Sequence, residues 1–186
     1  MLVTEIVNAS FPELADARIE IKIFRGKASC FRTSFSFARF LSGRKLRYKI
    51  FVNAQVFKRA APAAAVRAII AHELSHLLYY RRHNRFELFG LASLAKRSFT
   101  VKFERKADLE AIARGYGAGL ILYRDWLYRN IPESKIERKK RVYFAPEEIE
   151  LITRALKQKP ALLERWRKDV PRDAAAIKAT IEKIEP

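Results

Sequence analysis

The stretch AIIAHELSHLLYY, Ala68 to Tyr80, sets two histidines four residues apart inside a run that is otherwise largely apolar. His72, Glu73 and His76 bring strong hydrogen-bonding demands to a segment whose neighbours read as core. Such groups are costly there unless something satisfies them. The pattern His-Glu-x-x-His on a helix suggests what does. An i, i+4 pair lies on one helix face, so both imidazoles can reach the same ion. Zinc in a catalytic site takes three protein ligands and leaves a fourth position for water, whose pKa it lowers. Glu73, one residue after the first histidine, projects beside that water as a base. The expectation is Zn2+ on His72 and His76, with Glu73 as the catalytic residue.

The flanks supply the context this motif requires. Pro62 suits a first helical turn, and AAAVRAIIAHELSHLLYYRRH then runs about twenty residues with a helical apolar pattern. Upstream, three runs alternate with period two: Ile19, Ile21 and Ile23; Phe31, Thr33, Phe35 and Phe37; and Leu46, Tyr48, Ile50 and Val52. The SGR turn at 42–44, with Gly43 free to take a positive φ, reads as a hairpin. Three antiparallel strands are expected. Downstream come a short apolar segment at 86–96 and a second long helical region at 100–130, in which Gly115, Gly117 and Gly119 mark a break or a close contact. IPESKIERKKRVYFAP, 131–146, is polar and basic and reads as an exposed connection. Pro146 opens a further helix with acids in its first turn, and Pro160 and Pro171 start two more. The fold class is α+β: a small sheet of about three strands packed on the motif helix and a second ligand-bearing helix. The organisation is a catalytic domain over 1–130 and a basic linker with a helical C-terminal extension over 131–186.

A third ligand has to come from elsewhere. Extending the motif to His-x-x-Gly-x-x-His fails, because positions 79 and 82 are Tyr79 and Arg82, and His83 stands one residue late. FERKADLEAI in the second long helix offers Glu104 and Asp108, again i and i+4. One of them can ligate while the other orients a ligating imidazole from behind. Ala107, Ala111 and Gly115 lie near the same face, where small residues let this helix approach the motif helix. Ala65 and Ala68 are placed to do the same on the other side.

HELSH followed by ERKAD resembles the gluzincin metallopeptidases, over roughly residues 19–125. The resemblance implies a zincin-like core, His72, His76 and Glu104 as zinc ligands, Glu73 as general base and Asp108 behind a ligand histidine. It also implies a tyrosine or histidine that stabilises the oxyanion. Tyr116, Tyr123 and Tyr143 are available, and we carry Tyr116 forward. The reading is a zinc-dependent metalloendopeptidase acting on peptide or protein substrates. Gluzincins of this form are often membrane-anchored, whereas no stretch here approaches the ~18 apolar residues of a membrane span.

Composition sets limits. Cys30 is the only cysteine, which excludes an intramolecular disulfide and a cysteine-based zinc cluster and fits a reducing interior. The N-terminus shows no signal peptide, so a cytoplasmic protein is expected. Thirty-eight Lys and Arg against 20 Asp and Glu give a net charge of +18, which attracts phosphates or acidic substrates. Gln55 and Gln158 are the only glutamines, an amide poverty also typical of thermophiles. The alternative class is a basic nucleic-acid-binding protein with a structural or non-peptidase zinc site, or a peptidase acting on DNA-bound proteins. RKLRYKIF and RKKRVYF would then hold phosphates and stack on bases.

Overall fold

The alternating runs form strands, but their pairing differs from the expected one. The structure, a computed structural model, describes residues 2–25, 31–35, 47–82 and 97–183. β1 (Arg18–Phe24), β2 (Phe31–Phe35) and β3 (Arg47–Asn53) make a sheet of order β1-β3-β2. β2 runs antiparallel to β3, with Phe31 opposite Val52 and Phe35 opposite Tyr48. β1 runs parallel to β3, with Arg18 opposite Arg47 and Phe24 opposite Asn53. The sheet is therefore mixed rather than antiparallel. Period-two alternation reports which face of a strand is buried and carries no information about its partner's direction. Tyr48, Ile50 and Val52 of the central strand are buried as the pattern requires, whereas Ile23 on edge strand β1 is 69% exposed. Phe37 and Leu46 of the alternating runs, the turn at 42–44, the segment 86–96 and His83 lie outside the described residues.

Helices cover the sheet. α1 (Leu2–Ser10), which the sequence reading did not identify, buries Val3, Ile6 and Val7. α2 (Gln55–Lys58) leads from β3 toward α3 (Ala63–Arg82), in which every residue from Ala68 to Leu78 is buried. α4 (Arg97–Ala111) passes through a widened turn at Ile112–Tyr116 into α5 (Gly117–Asn130), so the expected glycine break is present. Gly115 takes φ 91° there, a conformation that side chains with a Cβ rarely adopt. At Gly119 the reason for glycine is contact. A Cβ would lie 2.6 Å from the Ala64 carbonyl oxygen and 2.7 Å from the Ala68 Cβ, so α3 and α5 touch backbone to backbone. Neither neighbour can swing aside. Gly119→Ala is accordingly expected to lower the melting temperature, because overpacking costing about 1–3 kcal/mol outweighs a helix-propensity gain of about 1 kcal/mol. A melt equal to or above that of the wild type would contradict this close approach.

The stretch 131–146 is exposed along most of its length, as expected, but it is not irregular. Its centre is helical, α6 (Glu133–Val142), with no buried residue. Charges on most of its faces hid the period, since only Ile136 and Val142 are apolar. The helix nonetheless suits its own dipole, with Glu133 in the first turn and Lys139, Lys140 and Arg141 in the last. α7 (Pro146–Gln158), α8 (Leu162–Lys168) and α9 (Ala174–Glu182) follow near the expected prolines. Phe144, Ile149, Trp166 and Ile177 join the same hydrophobic cluster as Leu74 of α3 and Leu120 of α5.

Candidate metal centre

α3 and α4 pack against each other, and their i, i+4 pairs meet. The Nε2 atoms of His72 and His76 are 3.2 Å apart, and each is 3.2 Å from Oε2 of Glu104. Donor atoms about 2.0–2.1 Å from a tetrahedral zinc ion stand about 3.3 Å from one another. The triangle is therefore the size of one face of a zinc tetrahedron, and two imidazole nitrogens with one carboxylate oxygen are a donor set that zinc accepts. The residues fit the metal. His72 and His76 are buried, while Glu104 keeps 20% of its side chain exposed, so the centre opens to solvent on one side.

The electrostatics favour positive charge at that point. Burial opposes protonation of His72, but the Asp108 and Glu104 carboxylates outweigh it and raise the imidazole to about 10. Burial likewise opposes the Glu104 carboxylate, and the two facing imidazoles prevail and hold it well below the usual carboxylate range. These are the preferences of a pocket built around a cation.

Behind the triangle, Nδ1 of His72 lies 2.8 Å from Oδ1 of Asp108. That contact fixes the orientation of the ring and would hold the proton on Nδ1 once a metal ion takes the place of the proton on Nε2. Asp108 is fully buried. Burial works against its charge, yet Arg124 and His72 keep it below the usual carboxylate range. The Arg124 guanidinium reaches both carboxylate oxygens at 2.8 Å and donates from Nε to the Phe144 carbonyl at 3.3 Å. The Phe144 amide donates back to Oδ2 of Asp108 at 3.1 Å. Every oxygen of the buried acid is thus partnered, which burial demands. Sequence reasoning missed Arg124. Its signal was available: a lone charge on the buried α5 face that also carries Leu120, Tyr123 and Leu127.

Glu73 is buried one residue along from His72, and its carboxylate accepts a hydrogen bond from the Thr33 hydroxyl. Thr33 sits on β2, an edge strand of the sheet. The centre is consequently bounded by α3, α4 and that strand. Of the three tyrosines, Tyr116 is placed elsewhere, its hydroxyl 3.0 Å from Ser10 Oγ of α1. Tyr123 is buried against Trp126. Tyr143, just beyond α6, lies with its ring 5.9 Å from the His72 ring. Arg124 stands 4.6 Å and Lys139 4.9 Å from the Tyr143 ring centre. Burial, and after it the Glu104 charge, raise its phenol well above 10, so it keeps its proton. Among the described residues, no helix is long and apolar enough to cross a membrane.

No curated protein and no solved structure matches the chain. The family model for Peptidase family M48 matches residues 36–107, a span that takes in His72, Glu73, His76 and Glu104 and ends one residue before Asp108. This match supports a metallopeptidase, a hydrolase acting on peptide or protein substrates.

Proposed function

We propose that the chain is a zinc-dependent metalloendopeptidase with a zincin-like core, in which His72, His76 and Glu104 hold the ion. The observation that carries this reading is the 3.2 Å triangle of donor atoms, with Asp108 hydrogen-bonded to His72 Nδ1 behind it. A bound zinc would polarise the scissile carbonyl and acidify a water at the open side. Glu73 takes the proton of that water and passes it to the leaving amine. Asp108 orients His72, and Arg124 orients Asp108. Tyr143 replaces Tyr116 as the phenol that donates to the developing oxyanion, since it is protonated and adjoins His72. The substrate backbone lies along edge strand β2, which faces α3 across Glu73. His72, Glu73, His76, Glu104, Asp108 and Arg124 fall within 1–130, and the extension 131–186 adds the Tyr143 phenol and supports Asp108 through the Phe144 amide. The single cysteine supports a reducing, cytoplasmic setting.

Zinc-loaded protein is expected to cleave members of a mixed peptide library, to stop when chelated and to resume when zinc is restored. Zinc-replete protein that cuts nothing in the library would contradict the proposal. Tyr143→Phe should lower kcat by about 10²–10³, the scale of one oxyanion donor, with zinc content unchanged. Full activity in that variant would remove Tyr143 from the mechanism.

A further inference from the structure

The segment RKKRVYF, Arg138 to Phe144, is the remaining sequence feature that the hydrolytic centre does not fully absorb. Its aromatics are committed to the interior. Phe144 is fully buried under the Arg105 guanidinium, 4.8 Å from the ring centre. Tyr143 is half-buried in contact with Arg124 and Lys139. In RKLRYKIF, likewise, Tyr48 is 4% exposed and Ile50 is fully buried. Neither Tyr48, Tyr143 nor Phe144 offers an open ring face for stacking on bases, which is how basic grooves hold single-stranded nucleic acid.

The cations are in the opposite position. Lys135, Arg138 and Arg141 recur every third residue along α6, and all three are exposed. Each three-residue step turns about 60° around the axis, so the three form a slanting row across one side of the helix over about 9 Å. Glu137, one turn before Arg141 on the same side of the helix, pairs with Lys140 at 3.2 Å. Among the described residues, no carboxylate lies within ion-pair distance of Lys135, Arg138 or Arg141. Arg141 donates instead to the Glu137 backbone carbonyl at 3.3 Å. The helix also adjoins the centre. It packs on α4, which carries Glu104, and the Tyr143 ring just beyond its end is 4.9 Å from the Lys139 ammonium and 5.9 Å from the His72 ring.

We infer that this cationic edge of α6 selects acidic polypeptide substrates, holding Asp or Glu side chains that flank the bond presented to the centre. The inference deepens the peptidase reading and rests on it. An extended chain places alternate side chains about 7 Å apart on one face, within the reach of three long cationic side chains spread over about 9 Å. The contacts are exposed and will be weakened by salt.

The test is binding, read without turnover. Two fluorescein-labelled unstructured peptides, identical except for Glu in one and Gln in the other, are titrated with the zinc-loaded full chain by anisotropy. The Glu peptide should bind about tenfold tighter at low salt, as three surface ion pairs imply, and the advantage should shrink as salt rises. Lys135→Gln/Arg138→Gln/Arg141→Gln, which alters only exposed side chains, should remove the advantage while its circular dichroism melt stays that of the wild type. Equal binding of the two peptides to wild type, or an advantage that survives in the triple variant, would overturn the inference. Labelled single-stranded DNA run in parallel addresses the other polyanion. DNA that outcompetes the Glu peptide through the same three residues would overturn the choice of substrate. A Glu peptide that binds as expected but is never cut would count against the peptidase reading and leave the cationic edge standing.

Discussion

Glu73→Gln is expected to retain its zinc and its fold while peptide hydrolysis falls by about 10²–10⁴, the usual contribution of a positioned acid–base group. The substitution keeps side-chain length and volume, so the buried site beside Thr33 is still filled. An amide oxygen can still accept from the Thr33 hydroxyl, but no part of the amide can take a proton from water near neutral pH. The three converging donors, His72, His76 and Glu104, are untouched. Elemental zinc, thermal melting and kcat measured on one preparation separate the possibilities. Loss of zinc alongside activity would make Glu73 a structural member of the centre, and unchanged turnover would remove it from the reaction.

The second large effect lies further from the reacting atoms. Arg124→Met keeps much of the side-chain volume but leaves the Asp108 carboxylate buried with its principal countercharge removed. Removing one partner of a buried ion pair costs about 3–5 kcal/mol. In a chain of this size each kcal/mol moves the melting temperature by about 2–4 °C, so a fall of roughly 6–20 °C is expected. A second consequence distinguishes this account from a generic loss of packing. Asp108 orients His72, so zinc affinity measured by chelator competition should drop about 10–100-fold below the melting transition. Asp108→Asn should partly rescue the stability of Arg124→Met, because the uncompensated charge disappears and contacting residues do not act additively. A variant that melts within a degree or two of wild type and keeps full zinc affinity would contradict the Arg124–Asp108–His72 chain of contacts.

What the sequence revealed follows from which interactions are local. His72, Glu73 and His76 share one helix, and Glu104 and Asp108 share another, so helical periodicity alone put each set on one face. The meeting of the two faces at 3.2 Å is tertiary, and the hints of it were small residues such as Ala107 and the resemblance carried by HELSH and ERKAD. The direction of β1 was not legible, since parallel and antiparallel strands bury alternate side chains alike. α6 was hidden because a helix that buries no residue shows little apolar period. Tyr116 and Tyr143 were indistinguishable in one dimension. What separates them is that the turn after α6 brings Tyr143 to His72, while the widened turn after α4 directs Tyr116 to Ser10. Arg124 was overlooked for a related reason. A charge in an apolar helix announces a buried partner without naming it, and the partner here lies one helix back at Asp108.

The central claim is that His72, His76 and Glu104 form one zinc site. X-ray absorption at the zinc edge, on wild type and Glu104→Ala after dialysis against the same dilute chelator, tests it most directly. The expected result is one zinc per wild-type chain, with only nitrogen and oxygen neighbours at about 2.0–2.2 Å and imidazole scattering from two rings. Glu104→Ala should lose most of its metal. A wild-type chain that takes up no zinc, or a Glu104→Ala variant that retains it with unchanged coordination, would contradict the claim.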